Sequence, residues 1–187
     1  MAATDPPLIL PDAAAWRAWL DAHESDSDGV WLVLAKKGTT DPTRLLVTEA
    51  LDEALCSGWI DGQRKGRDAT TFLQRYTPRR PRSLWSARNV QYIARLTEQG
   101  RMRPRGLAEV AAAQADGRWE RAYAGQATIE VPPDLVDALA AAPGAAEAFT
   151  ALSKSARYSV LHQVITAATP ETRARRIARW VASLTRR

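Results

Sequence analysis

The sequence predicts an α+β fold: a small antiparallel sheet with helices packed on it, followed by a helical C-terminal region. Three observations carry this. Three strand signals lie between residues 29 and 77, at least five helix signals follow residue 83, and the apolar period beyond residue 133 is helical throughout. The organisation expected is an α+β domain over 1–123, a linker over 124–132 that runs into Val131-Pro132-Pro133, and a helical region over 133–187.

Asp12 is placed to cap a first helix with Trp16, Trp19, Leu20 and His23 on one face. Glu24 to Gly29 imitates a calcium loop, but its twelfth position falls on Ala35 inside an apolar run, so a polar turn is expected. Val30 to Ala35 reads as a strand apolar on both faces, finished by Lys36 and Lys37. Thr48 is expected to cap a short helix with Ala50, Leu51, Ala54 and Leu55 inside and Gly58 at its end. Cys56, near that end, reads as a packed, inert thiol. Trp59–Lys65 and Thr70–Tyr76 read as two antiparallel strands around Gly66-Arg67-Asp68, and Pro78 and Pro81 forbid regular structure between them.

Ser83 is expected to cap a helix carrying Trp85, Asn89, Tyr92, Ile93 and Leu96, stopped by Gly100. Pro104 opens another, with Leu107, Val110, Ala111 and Gln114 on its face and Gly117 after it. Past the linker, Leu135, Ala138 and Leu139 form one stripe, and Ala145, Ala148, Phe149 and Leu152 a second. Leu161, Val164, Ile165 and Ala168 form the third, and Thr169-Pro170 opens a last helix with Ile177, Trp180, Val181 and Leu184 inside and its arginines mostly outside.

Composition narrows the function. The opening Met1–Pro7 shows neither a basic start nor an apolar h-region, and the longest apolar run, Val30 to Ala35, is too short to cross a bilayer, so a cytoplasmic protein without membrane partners is expected. One cysteine and two histidines far apart, His23 and His162, give no metal-ligand spacing; no phosphate-binding Gly-Lys-Ser/Thr loop or nucleophile elbow is present. No cofactor, metal or catalytic residue is therefore assigned.

The net charge of +5 is unevenly distributed: residues 1–59 carry 4 basic and 10 acidic side chains, residues 60–105 carry 12 and 3, and residues 106–187 carry 10 and 8. A local excess of this size attracts anions, although an arginine-rich surface that only solubilises would look the same in sequence. Within it, Gly58 to Asn89 sets tryptophan, arginine and proline beside a lone carboxylate. Lys36, Arg64, Arg79, Arg80, Ser83, Trp85 and Asn89 are the candidate ligands of a small anion, held on a stiff Thr77–Ser83 loop. Asp61 is expected to anchor that loop by pairing with Arg64, Arg79 or Arg80, a general-base role being its alternative. Trp59 is expected in the core and Trp85 at a pocket edge. Two competing readings are a nucleic-acid surface, binding weakly and without sequence preference along the basic face, and an enzyme acting on a small anion.

Several segments together resemble the YdeI/OmpD-associated, or bacteriocin-protection, family. They are Gly29–Leu32 with Lys36-Lys37-Gly38, Glu53–Gly62, and Tyr76–Ser86 with Asn89. Further matches are Gly100–Met102, Gly106-Leu107, Asp116–Trp119, Ser153–Tyr158 and Glu171–Ile177. The resemblance spans nearly the whole chain from about residue 10. It implies bacterial origin and a protective or stress-linked role, and implies no particular reaction.

Overall fold

The computed structural model describes residues 6–186; the opening Met1–Asp5, part of the segment read above for a leader, lie outside the described residues. The fold is α+β, as the strand and helix signals require. Helices α1 (Ala13–His23), α2 (Val47–Cys56), α3 (Ala87–Glu98) and α4 (Pro104–Ala115) accompany strands β1 (Val30–Ala35), β2 (Trp59–Gly66) and β3 (Thr71–Pro78). Four further helices follow: α5 (Pro133–Ala140), α6 (Ala145–Thr150), α7 (Lys154–Ile165) and α8 (Pro170–Leu184). The chain divides into two compact units, one of residues 1–83 with 89–119, the other of 84–88 with 120–187.

In the first unit the sheet order is β1-β3-β2, all antiparallel. The β2–β3 hairpin is sealed by Asp68, whose carboxylate accepts from the backbone N–H and hydroxyl of both Thr70 and Thr71. Those donors hold its carboxyl well below the usual carboxylate range. A register shift between Asp61 and Arg64 marks a bulge in β2. Buried Gln74 fills it, its amide donating to the carbonyls of Gly62 and Gln63 at 2.9 and 3.2 Å. Leu32, Val33, Leu34 and Ala35 are all buried, so β1 is covered on both faces, and its outer edge is taken by Leu8 and by the carbonyl of Leu45.

α1 is capped as expected, Asp12 accepting from the N–H of Ala15. Its Trp16 is fully buried, donates to the carbonyl of Ala50 at 3.0 Å, and packs on Trp59 and Tyr76. Three local expectations are corrected. Thr48 does not cap α2; it lies in the first turn, and Glu49 reaches back to the N–H of Leu46. Ser83 does not cap α3, which starts at Ala87, because the Ser83 hydroxyl closes a turn with Arg80 instead. In α4 the buried residues are Gly106 and Ala113, whereas Leu107 is 47% exposed. Small residues win there because α4 lies directly on α2: a Cβ on Gly106 would stand 2.2 Å from the carbonyl oxygen of Cys56.

The second unit builds its own core from Leu135, Leu139, Ala145, Phe149, Val160, Leu161, Val164, Ile177 and Leu184, with Ala138, Ala148, Leu152, Ile165, Trp180 and Val181 around it. Of the nine core residues all but Val160 lie on the expected stripes, whereas Ile129 and Ala142, which also pack against the core, lie on none. Ala168 does not join the core, because α7 ends at Ile165 and the chain turns before reaching it. Three of the four arginines of α8 are clamps: Arg173 grips Asp134 at 2.6 and 2.8 Å, and Arg176 and Arg179 donate to the backbone and side chain of Gln163.

Candidate functional site

The structure distributes the candidate anion ligands over several places. Lys36 follows β1 and donates to the carbonyls of Asp68 and Ala69, at the β2–β3 turn. Arg79 follows the opposite end of β3, an eight-residue strand of roughly 25 Å, so these two cations do not meet on one small anion. Arg64 donates to Gln74 at 3.2 Å and lies 4.4 Å over the ring of Phe72, which holds it at mid-sheet. Arg79 is only 4% exposed, and its N–H donates to the carbonyl of Gly58.

Arg80 and Ser83 do come together. The Arg80 N–H donates to the Ser83 hydroxyl, the Ser83 N–H donates back to the Arg80 carbonyl, and Arg118 donates to the carbonyl of Ser83. This is the bonding of a closed turn. Asn89 is buried in α3; Trp85 is buried and belongs to the second unit. Trp59 is fully buried, its indole N–H directed to the carbonyl of Glu24. Asp61 is exposed and makes no hydrogen bond or ion pair among the described residues; the loop is held instead by Arg79 on Gly58 and by Ser83.

Three of the twelve basic side chains of residues 60–105, Arg95, Arg101 and Arg103, are engaged in a network that sequence reading missed. Glu53, buried on α2, accepts from Arg101 at 2.7 Å and Arg103 at 3.0 Å. Its neighbour Asp52 pairs with Arg95 at 2.6 Å and Arg101 at 3.4 Å. Arg103 also donates to Ser57 and lies 3.6 Å from Asp21. Partners about 45 residues apart leave no local signal. Cys56 is buried beside this network; burial first, then Glu53, pushes its thiol up, which keeps it protonated and inert.

Among the described residues, a cleft in each unit offers uncommitted polar groups. The second unit's, about 650 Å³, lies between the 126–131 segment and α7 and is lined by Gln126, Ala127, Ile129, Val131, Lys154, Arg157, Tyr158 and Leu161. Ser153 caps α7 through the N–H of Ala156, and the next residues, Lys154 and Arg157, stand one turn apart. Arg157 is fixed by donation to the carbonyl of Thr150 and by the ring of Phe149 at 5.7 Å, yet its Nε is buried with no acceptor among the described residues. Lys154 and the Tyr158 hydroxyl likewise make no hydrogen bond there. Burial pushes the Tyr158 phenol up, so it is a neutral donor. No carboxylate lines this cleft. By contrast, a groove of about 650 Å³ between α5 and α8 is almost wholly apolar, and its one ion pair, Asp134–Arg173, is closed on itself.

The class of protein follows from fold and sequence together: an α+β unit joined to a helical module whose residues 128–187 match the family described as Bacteriocin-protection, YdeI or OmpD-Associated. Residues 8–109, more than half of the chain, match a domain of unknown function (DUF8412), and the chain belongs to that family. The bacteriocin-protection match is narrower than the near-complete resemblance expected; the Gly58–Asn89 stretch lies in the other match. No curated protein and no solved structure matches the chain.

Proposed function

We propose that the protein binds a small anionic ligand with an apolar body, and that the ligand sits in the cleft between the 126–131 segment and α7. The anion is the one expected from sequence; the pocket differs, drawing on Lys154, Arg157 and Tyr158 instead of the Thr77–Ser83 loop. One observation carries the reading: Arg157, whose Nε is buried without an acceptor among the described residues, lines a cleft that holds two cations and no acid. A buried donor left unsatisfied costs about 1–3 kcal/mol, which an incoming oxygen would recover. Ile129, Val131 and Leu161 supply apolar wall, and the cleft volume is that of a small-molecule site. Binding and retention in a bacterial cytoplasm, as part of a protective role, belong to the same proposal.

Benzoate, benzyl alcohol and inorganic phosphate separate the contributions in a thermal-shift titration. Benzoate is expected to raise the melting temperature, phosphate less, and benzyl alcohol least; a ligand at a hundred times its Kd adds about 2.7 kcal/mol. Lys154→Gln with Arg157→Gln should abolish the benzoate effect. Arg80→Ala with Arg82→Ala should leave it intact, and the opposite pattern would return the site to the Pro-rich loop. Nucleic acid is a poorer fit, because Arg95, Arg101 and Arg103 already face carboxylates. DNA binding is accordingly expected only at low salt, and sub-micromolar binding at physiological salt would contradict this choice.

A further inference from the structure

We propose that a second cleft, on the first unit, binds a small zwitterion: one molecule carrying both a carboxylate and an ammonium group, as amino acids do. The cleft encloses about 570 Å³ and is lined by Pro6, Leu8, Trp19, Asp26, Ser27, Asp28, Gly29, Val30, Trp31 and Arg75. Its lining carries fixed charge of both signs. Arg75, Asp26 and Asp28 make no side-chain hydrogen bond or ion pair among the described residues, so the guanidinium and the two carboxylates are not paired off against one another. A purely anionic ligand meeting Arg75 would face two carboxylates, and a purely cationic one would face Arg75. A molecule with both charges satisfies each wall.

The cleft is built before any ligand arrives. Trp31 on β1 and Arg75 on β3 are partners across the ladder, so their side chains leave the same face of the sheet. Trp31 is pinned from elsewhere by Lys65, whose Nζ lies 4.3 Å from the ring centre. Trp19 is stacked on Trp16 at 5.2 Å and on His23 at 4.6 Å, which fixes a second aromatic lining residue. The 26–29 turn lines the same cleft, and in it the Ser27 hydroxyl accepts from the N–H of Gly29.

Gly29 is the residue that opens the site. Its φ of +125° suits glycine alone, and a Cβ there would stand 2.6 Å from both Thr77 Cγ2 and the Tyr76 carbonyl oxygen and 3.1 Å from Arg75 Nη2. The missing side chain lets the turn lie against β3 with the guanidinium alongside. Acid from the turn and base from the strand thus line one aromatic-walled space. This site shares no residue with the α7 cleft.

The test is a calorimetric titration of the full chain with glycine, 4-aminobutyrate and 6-aminohexanoate, against butyrate and butylammonium. At least one amino acid is expected to bind ten times more tightly than either singly charged compound. Arg75→Gln, and separately Asp26→Asn with Asp28→Asn, should each weaken it at least tenfold, whereas Lys154→Gln with Arg157→Gln should not change it. Should Arg75→Gln fail to fold, the exposed Asp26 and Asp28 substitutions still decide the matter. Binding of butyrate as tight as that of every amino acid, or no binding by the series, would overturn the proposal.

Discussion

Tyr76 is fully buried against Trp16, and its hydroxyl has no acceptor among the described residues. Burial, reinforced by Asp61 across the strand pair, pushes its phenol far up, so it stays protonated at any working pH. An unpaired buried hydroxyl costs about 1–3 kcal/mol, so Tyr76→Phe should leave the first unit as stable as the wild type or stabilise it by up to that amount in urea unfolding. A loss above 1 kcal/mol would mean the hydroxyl has a partner in solution. His162, set edge-on to Tyr123 at 4.6 Å, shows the opposite kind of cost. Burial first, then the nearby Arg176, lowers its pKa below the ordinary imidazole value. The neutral ring is the one the fold favours. Its contribution is present above about pH 6.5, the unfolded value, and is lost as pH falls toward the folded one. Comparing wild type with His162→Gln by thermal unfolding from pH 7 to 5, the wild type should lose more stability; equal slopes would remove His162 from the account.

Among the elements, α2 organises the first unit: it meets α1 through the Trp16–Ala50 bond and α4 through Gly106, and carries Asp52 and Glu53 toward three arginines. Glu53→Ala strands Arg101 and Arg103 at a buried position, and breaking such a pair by removing one partner costs about 3–5 kcal/mol. Since Arg101 is a third exposed, the lower end is expected, read as a fall in the urea midpoint. Glu53→Ala within 1 kcal/mol of wild type would show the network to be surface decoration. The same elements mark how far sequence reading reaches. β1, the hairpin, the α1 cap and four helical stripes were legible because each rests on local periodicity or a residue's own capping chemistry. The α4 face was not: in sequence Leu107 outweighs Gly106, and only the 2.2 Å approach to Cys56 reveals why glycine faces inward. Nor was the start of α3, where Ser83 had a nearer partner in Arg80.

At the scale of the whole molecule, charge counted along the chain and charge available to a ligand are different quantities. The richest basic stretch spends Arg95, Arg101 and Arg103 on acids of α2 and Lys36 braces the hairpin turn from outside it, while the less basic C-terminal part keeps Lys154 and Arg157 in an acid-free cleft. Composition could not separate the two, because it does not record which arginine folds onto which carboxylate. The most direct test of anion binding follows the Arg157 Nε–H resonance by ¹⁵N NMR while benzoate is added. A buried N–H that gains a carboxylate acceptor should shift downfield and saturate with the same Kd as the thermal stabilisation, and Lys154→Gln should raise that Kd without abolishing the shift. A resonance that stays unmoved while benzoate stabilises the protein would place the anion elsewhere and contradict the account.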